Sequence, residues 1–265
     1  LQSYRFVFYC IFLFNMRFSS SYFFLTILLF VANGSYSQLP QEEKLNVRVL
    51  KEVWMGAVFH SNGFGVNLDI AKFKTYKKKS LIHIELINMK HNKEYKMLGF
   101  GDESAKKYVY GKLNYVNVLR LGIGRRKLMF EKFRNNGVQF TANVSSGLSL
   151  GCARPVYLQI YKRDFNGVPI AVVPERYDAS QHGYYDIYGR GPRYRGLFEH
   201  TFNPGIYFRA GLESDYSVVP EIIQSIEVGI AVDAYLNKNE IMANNDPSNY
   251  FVTLYLDFSL GNKFY

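Results

Sequence analysis

The sequence predicts an all-β chain: a closed antiparallel transmembrane β-barrel of eight strands with one long outer loop. Three observations point there. Apolar residues alternate with polar ones at a period of two through most of the chain, the signature of half-buried strands. Aromatic residues make up 17% of the chain, with 22 Tyr and 22 Phe against a single Trp54, a level that suits β-structure and interfacial aromatic girdles. Short and long connections alternate along the chain, as they do when strands shuttle between two sides of a membrane.

Ahead of the strands lies an export segment. Residues 1–15 read as an upstream extension of a reading frame that starts at Met16. From there Arg17 supplies a positive end and Tyr22 to Ala32 an apolar stretch. Ser35-Tyr36-Ser37 supplies a small-x-small cleavage site before Gln38. Residues 16–37 are therefore expected to be a cleaved signal peptide, leaving 38–265 as the barrel. The apolar run is short for a helical span. Cys10 leaves with the leader, so Cys152 stays alone, with no internal disulfide and no zinc site. Net charge falls from +10 to +8, because Arg5 and Arg17 leave and no acid does.

The strands are expected at 47–61, 63–75, 80–91, 108–124, 137–162, 205–214, 221–237 and 249–264. Asn62-Gly63 marks a tight hairpin. The fifth strand is long because its register continues past Pro155 into Val156, Leu158 and Ile160, with a bend expected near Gly151–Pro155. Ten strands result if 137–162 splits and a further strand joins 108–124. With the N-terminus in the periplasm, the inward connections are Tyr76–Lys79, Arg125–Asn136 and Asp215–Pro220. The outward ones include His91–Lys107 and the long Arg163–Pro204.

One face of these strands is apolar: Ile226, Val228, Ile230, Val232, Ala234 and Leu236 in one, Val252, Leu254, Leu256, Phe258 and Leu260 in the last. The other face is small or charged. Ser145, Gly147, Ser149, Gly151, Gly229 and Ala231 suit a narrow interior that holds only packed side chains. Arg120 and Arg209 share that face with Glu213, Glu227, Asp233 and Asp257, an expected lumen network of paired charges.

The signal ending SYSQ and the closing strand FVTLYLDFSLGNKF together resemble outer-membrane β-barrel proteins of the Bacteroidota. The stretch YGKLNYVNVLRLGIGRRKLMFEKFRNNGVQFTANVSSGLSLGCARPVYLQI, residues 110–160, resembles a set of uncharacterised proteins from that group. The resemblance implies fold class and envelope location, and it carries no catalytic residues.

Functional constellations are sparse. Two basic clusters, Lys72, Lys74, Lys77, Lys78, Lys79 and Arg125, Arg126, Lys127, Lys132, Arg134, fall on the expected periplasmic rim. There they would meet lipid headgroups or an envelope protein partner; an exported chain gives no reason to expect nucleic acid. The long loop gathers Tyr184, Tyr185, Tyr188, Arg190, Arg193 and Arg195, residue types enriched at binding hot spots. It reads as a recognition surface, a packed lid or a disordered segment. Asp178, Ser180 and His182 invite a hydrolase reading, but triad members meet in space rather than in one short run. Gly122–Lys127 lacks the ending of a phosphate loop. No metal-ligand spacing and no cofactor motif stand out. The expectation is a small outer-membrane barrel, structural or a recognition subunit, without enzymatic activity and too narrow to be a general porin. The alternatives are a lipid-modifying enzyme, with His182 and His200 as candidates, and a soluble periplasmic ligand-binding barrel.

Overall fold

The structure, a computed structural model, describes residues 51–99, 105–133, 137–192, 194–243, 245 and 247–264. The chain divides into two units, Leu1–Asn46 and Val47–Tyr265. The first unit, which contains the expected signal peptide, lies outside the described residues, as do Arg134 and Arg193.

Eight long strands close into a ring. They are β1 (Lys51–His60), β2 (Gly63–Thr75), β3 (Lys78–Met89), β6 (Asn114–Phe130), β7 (Gln139–Pro155), β11 (Thr201–Asp215), β12 (Ile222–Asn239) and β13 (Ser248–Phe264). Each pairs antiparallel with its sequence neighbour in this set, and β1 pairs with β13 along Lys51↔Phe264 to His60↔Tyr255. Closure leaves the barrel without a free edge. One end carries the short connections 76–77, 131–138 and 216–221. The other carries the Ser61–Asn62 turn and the segments 90–113, 156–200 and 240–247. These are the turn end and the loop end.

The small pieces sit beyond the loop end of the strands. The hairpin β4 (Lys96–Met97) and β5 (Tyr108–Val109) belongs to the second connection. β8 (Tyr157–Arg163), β9 (Pro169–Arg176) and β10 (Ile187–Arg190) form a separate three-stranded sheet in the order β10-β8-β9. One face of that sheet is a compact core of Tyr108, Val156, Leu158, Ile160, Tyr177 and Ile187. Among the described residues β9 is an uncovered edge, with Ile170, Val172 and Val173 exposed.

Two expected boundaries are corrected. The strand expected at 137–162 ends its barrel pairing at Pro155. Its continuation, β8, leaves the barrel, while the Val156 N–H donates to Leu113 O at 2.9 Å. The alternation ran through the junction because β8 also has one buried face, in a different core. The strand expected at 108–124 instead spans 114–130, so Arg125, Arg126 and Lys127 belong to β6 and not to a turn. Basic residues ending a strand resemble a rim in sequence, but β3 pairs through them, Lys78↔Lys127 to Ser80↔Arg125.

The inside-outside pattern follows the predicted alternation. Along β12, Ile223, Ser225, Glu227, Ala231, Asp233 and Tyr235 are buried, while Val228, Ile230 and Leu236 are exposed. The β1–β13 seam predicts a direct chemical test. Met55 and Leu260 face each other across it. In a Cys152→Ser background, Met55→Cys with Leu260→Cys should form a disulfide, since directly opposed residues lie within bridging range. Mass spectrometry reads the bond; a free thiol pair in the folded protein would mean that the barrel does not close in this register.

Candidate functional site

The lumen holds the charged residues that the sequence placed there. Arg120, Arg209, Glu213, Glu227, Asp233 and Asp257 are all buried. Arg209, from β11, is the hub. Its Nη2 donates to Asp257 at 2.9 Å and Glu227 at 3.2 Å, and its Nη1 sits 3.1 Å from His83 Nε2 on the far wall. The guanidinium also lies 4.0 Å from the centre of the Tyr255 ring. Arg120, from β6, grips Asp233 of β12 through two bonds of 3.0 and 2.5 Å and reaches Glu85 of β3 at 2.8 Å. Two strands lie between β6 and β12 in the ring, so these bonds cross the lumen rather than follow the wall.

Alternation in β2 and β3 also brings in residues that were not singled out from sequence: Asn67, Asp69, His83 and Glu85, with His60 from β1. His83 Nδ1 meets Asp69 at 2.6 Å, His60 Nε2 meets Glu85 at 2.9 Å, and Asn67 donates to Asp257 at 2.5 Å. The signal was present, because these residues alternate with Leu68, Ile82 and Leu86, which are exposed.

The basic-rim group divides. Lys77 and Lys78 are exposed at the turn end, and Arg125 and Lys127 point outward from β6. Arg126 is corrected from rim to lumen: it is buried, bonded to Glu213 and Asn143, and lies 4.1 Å from the Trp54 ring centre. Lys79 donates to both Glu52 oxygens at 2.7 Å, beside it.

Apolar layers flank the Arg209 and Arg120 contacts on either side. Trp54, Ala71, Leu81 and Ile223 pack toward the turn end. Ile87, Met89, Val116, Val118, Tyr235 and Ile241 pack toward the loop end. There Ile241 O accepts from the Leu113 N–H at 2.9 Å, and Lys112 bridges to Met242, so two loops meet over the mouth. Between the layers is a cavity of about 10 Å³ lined by Trp54, His83, Asn143 and Arg209 among others. That is room for about one water molecule. That cavity leaves no room for an apolar ligand among these described residues.

The described outer-loop residues pack against one another and their neighbours. Tyr184 and Tyr185 begin a short 3-10 turn, Tyr184–Asp186, with ring centres 5.5 Å apart, and Tyr184 also meets Tyr110. Tyr188 meets Tyr161 edge-on at 5.5 Å. Arg190 ends β10, and Arg195 lies in the turn that follows. The Asp178–His182 segment is a turn and not a triad. Ser180 Oγ donates to Asp178 Oδ1 at 2.7 Å, and the Asp178 N–H donates to His182 Nδ1 at 3.1 Å. The two Ser180 bonds, from hydroxyl and N–H, hold the Asp178 carboxyl below its usual range. His200 stacks loosely on Phe202 at 6.3 Å. Among the described residues, no group of His, Cys, Asp and Glu could hold a metal ion.

The fold and site together define a closed eight-stranded antiparallel β-barrel with an apolar outer wall and a filled ionic interior. No protein-family model and no curated protein matches the chain. Among solved structures it is similar to Neisserial surface protein A, at 11% identity over 81% of this chain and 96% of that chain, with TM-score 0.37. It is also similar to Ail, the attachment invasion locus protein of Yersinia pestis, at 8% identity over 81% and 97%, with TM-score 0.35. A third similarity is to a major outer membrane protein from Thermus thermophilus, at 9% identity over 81% and 98%, with TM-score 0.44.

The network predicts unequal effects of charge removal. Arg209→Met strands Asp257 and Glu227 without their cation and should cost about 3–5 kcal/mol. Lys162→Gln removes a half-exposed pair with Glu175, 2.7 Å apart, and should cost no more than about 1 kcal/mol. Urea unfolding in detergent micelles measures both; equal midpoints would contradict a lumen held by its ions.

Proposed function

We propose that this chain is a small outer-membrane β-barrel that presents a recognition surface at the cell exterior and conducts nothing. One observation carries the reading: the usual distribution of side chains is inverted. Met55, Val66, Leu121, Leu148, Ile206, Val252 and Leu254 point outward with exposures of 47–69%, while arginines and carboxylates are buried. In water that belt would cost roughly 25 cal/mol for each Å² left exposed. In hydrocarbon the cost vanishes, and a closed barrel has every wall strand paired, as a bilayer requires.

The expected signal peptide and the Bacteroidota-like closing strand support export to the outer membrane, with the turn end in the periplasm. Lys77 and Lys78 would then meet inner-leaflet headgroups or an envelope partner. The loop end, with its separate sheet and its Tyr and Arg side chains, would face outward as the contact surface. The filled lumen supports a structural or recognition role over transport.

Fractionation tests this reading. The protein should pellet with outer membranes and migrate differently on a gel when boiled and unboiled. Reconstituted into planar bilayers, it should show no stable open-channel conductance; a steady conductance would remove the sealed-barrel claim. Leu148→Arg, in the belt, should destabilise the bilayer-inserted form by about 2–4 kcal/mol if it lies near the midplane. A soluble, unshifted wild-type protein would overturn the membrane assignment.

A further inference from the structure

At the loop end the separate sheet overhangs the barrel wall and leaves a cleft of about 280 Å³. Its floor is the outward side of the wall. Asn88, Tyr115 and Arg154 alternate with the inward-facing Met89, Val116 and Ala153. Its roof is Tyr157 with the segment Arg190–Pro192 and Arg195. The cleft therefore opens sideways, along the face that carries the apolar belt. Leu119 and Leu150, paired on the same two strands, begin that belt four residues below the Tyr115↔Arg154 pair. At about 3.3 Å per residue that is about 13 Å along the strand, or about 10 Å along the membrane normal for a strand tilted about 40°, which sets the cleft at the outer edge of a headgroup region that extends about 5–8 Å past the hydrocarbon.

The lining is cationic and aromatic. Arg154 lies 5.2 Å from the Tyr115 ring centre, and Lys112 lies 4.5 Å from the same ring. Arg190 Nε is buried and makes no hydrogen bond to any described residue. The Arg190 backbone, by contrast, is fixed: its N–H donates to Lys106 O at 3.0 Å, and the next N–H, of Gly191, donates to Tyr157 O at 3.0 Å. A side chain added at Gly191 would press on the Tyr157 carbonyl, so the roof sits close against β8. Two carboxylates lie nearby: Glu94 accepts from Lys112 Nζ at 2.6 Å, and Glu199 accepts from the Tyr157 hydroxyl at 2.8 Å. The bond to Glu199 raises the Tyr157 phenol above its usual range, an effect that Arg176 and Arg195 oppose. Three arginines gathered at one cleft, one of them with a side-chain N–H that has no partner among the described residues, match the oxygens of a phosphate, which guanidinium groups bind through paired N–H donors.

We propose that this cleft binds a phosphate monoester, carried by the headgroup of a lipid in the leaflet around the loop end. The sideways opening and the belt beneath favour a lipid-borne phosphate over a soluble one. The proposal rests on the membrane reading above. Arg190 is its anchor, Arg154 and Arg195 close on either side, and Tyr115 and Tyr157 supply flat walls for a sugar or glycerol backbone.

The test uses the full barrel in nanodiscs of phosphatidylcholine, with and without a doubly phosphorylated glucosamine glycolipid. Native mass spectrometry reads retained lipid, and inorganic phosphate is added as competitor. Wild type should retain the glycolipid selectively, and Arg154→Gln with Arg190→Gln should lower retention at least about tenfold, the loss expected for removed charge-assisted bonds. Retention that phosphate does not displace identifies the lipid as the source. Phosphate binding by wild type without selective glycolipid retention keeps the phosphate site and assigns it a soluble ligand. Equal retention by wild type and variant, with no phosphate effect, overturns the proposal. The boiled-unboiled gel shift is run on every sample. An unshifted wild type is a failure of the barrel reading, whereas a shifted wild type that retains no more glycolipid than the double variant is a failure of the cleft. If the double variant does not close, Arg195→Gln, in the turn after β10, carries the same comparison.

Discussion

The structure depends on pairing buried charge inside a narrow tube that side chains fill. Eight strands enclose a space that side chains fill, and a buried ion costs several kcal/mol unless its partners surround it. Arg209, Arg120 and Arg126 meet this demand by reaching across the lumen instead of along the wall. Each then ties strands that share no ladder. The small residues follow from the same demand. A side chain at Gly122 would collide with the Tyr207 hydroxyl, and one at Gly211 or Gly229 with that of Tyr255. Bare backbone on these strands makes room for the tyrosines and guanidinium groups. The apolar layers that flank the Arg209 and Arg120 contacts limit the water around them, which strengthens each pair.

The two ends of the barrel solve different problems. At the turn end the strands are joined by short turns, and Lys132 and Lys263 close on Asp215. At the loop end the chain builds a second, smaller core. β8 leaves the wall after Pro155, where the next N–H bonds to a loop carbonyl instead of a strand. The sheet that results is ordered by Tyr108, Leu158 and Ile187, so the loop residues are held as a surface. Residues in this sheet reach back over the wall, and the cleft is the space they leave.

Much of this was legible in the amino-acid order. Alternation alone located eight wall strands and sorted their faces, because a one-residue error would turn every side chain to the wrong medium. It also placed Arg120, Arg209 and their acids on the inner face. Alternation could not say which charge meets which, since Arg120 and Asp233 lie 113 residues apart and meet only through closure. It failed where a second core imitates the first, at Val156–Ile160. It failed also at Arg125–Lys127, where charge suggested a turn while strand pairing continued. Arg154 gave no local signal: the residues that share its cleft come from β3, β6, β8 and β10, with Gly191, Pro192 and Arg195, and only the overhang gathers them.

The uncovered strand β9 carries a consequence for crowding. A free strand edge is a template on which another chain can add itself. If this sheet stands above a membrane packed with copies of the same protein, each copy offers its edge to the next. Pro169 and Pro174 lie at the start and in the second half of that edge, and a proline has no N–H to donate to an incoming strand. The edge thus stays open to side-chain contact while resisting ladder growth. Neighbouring barrels can stand close without being stitched into a continuous fibre.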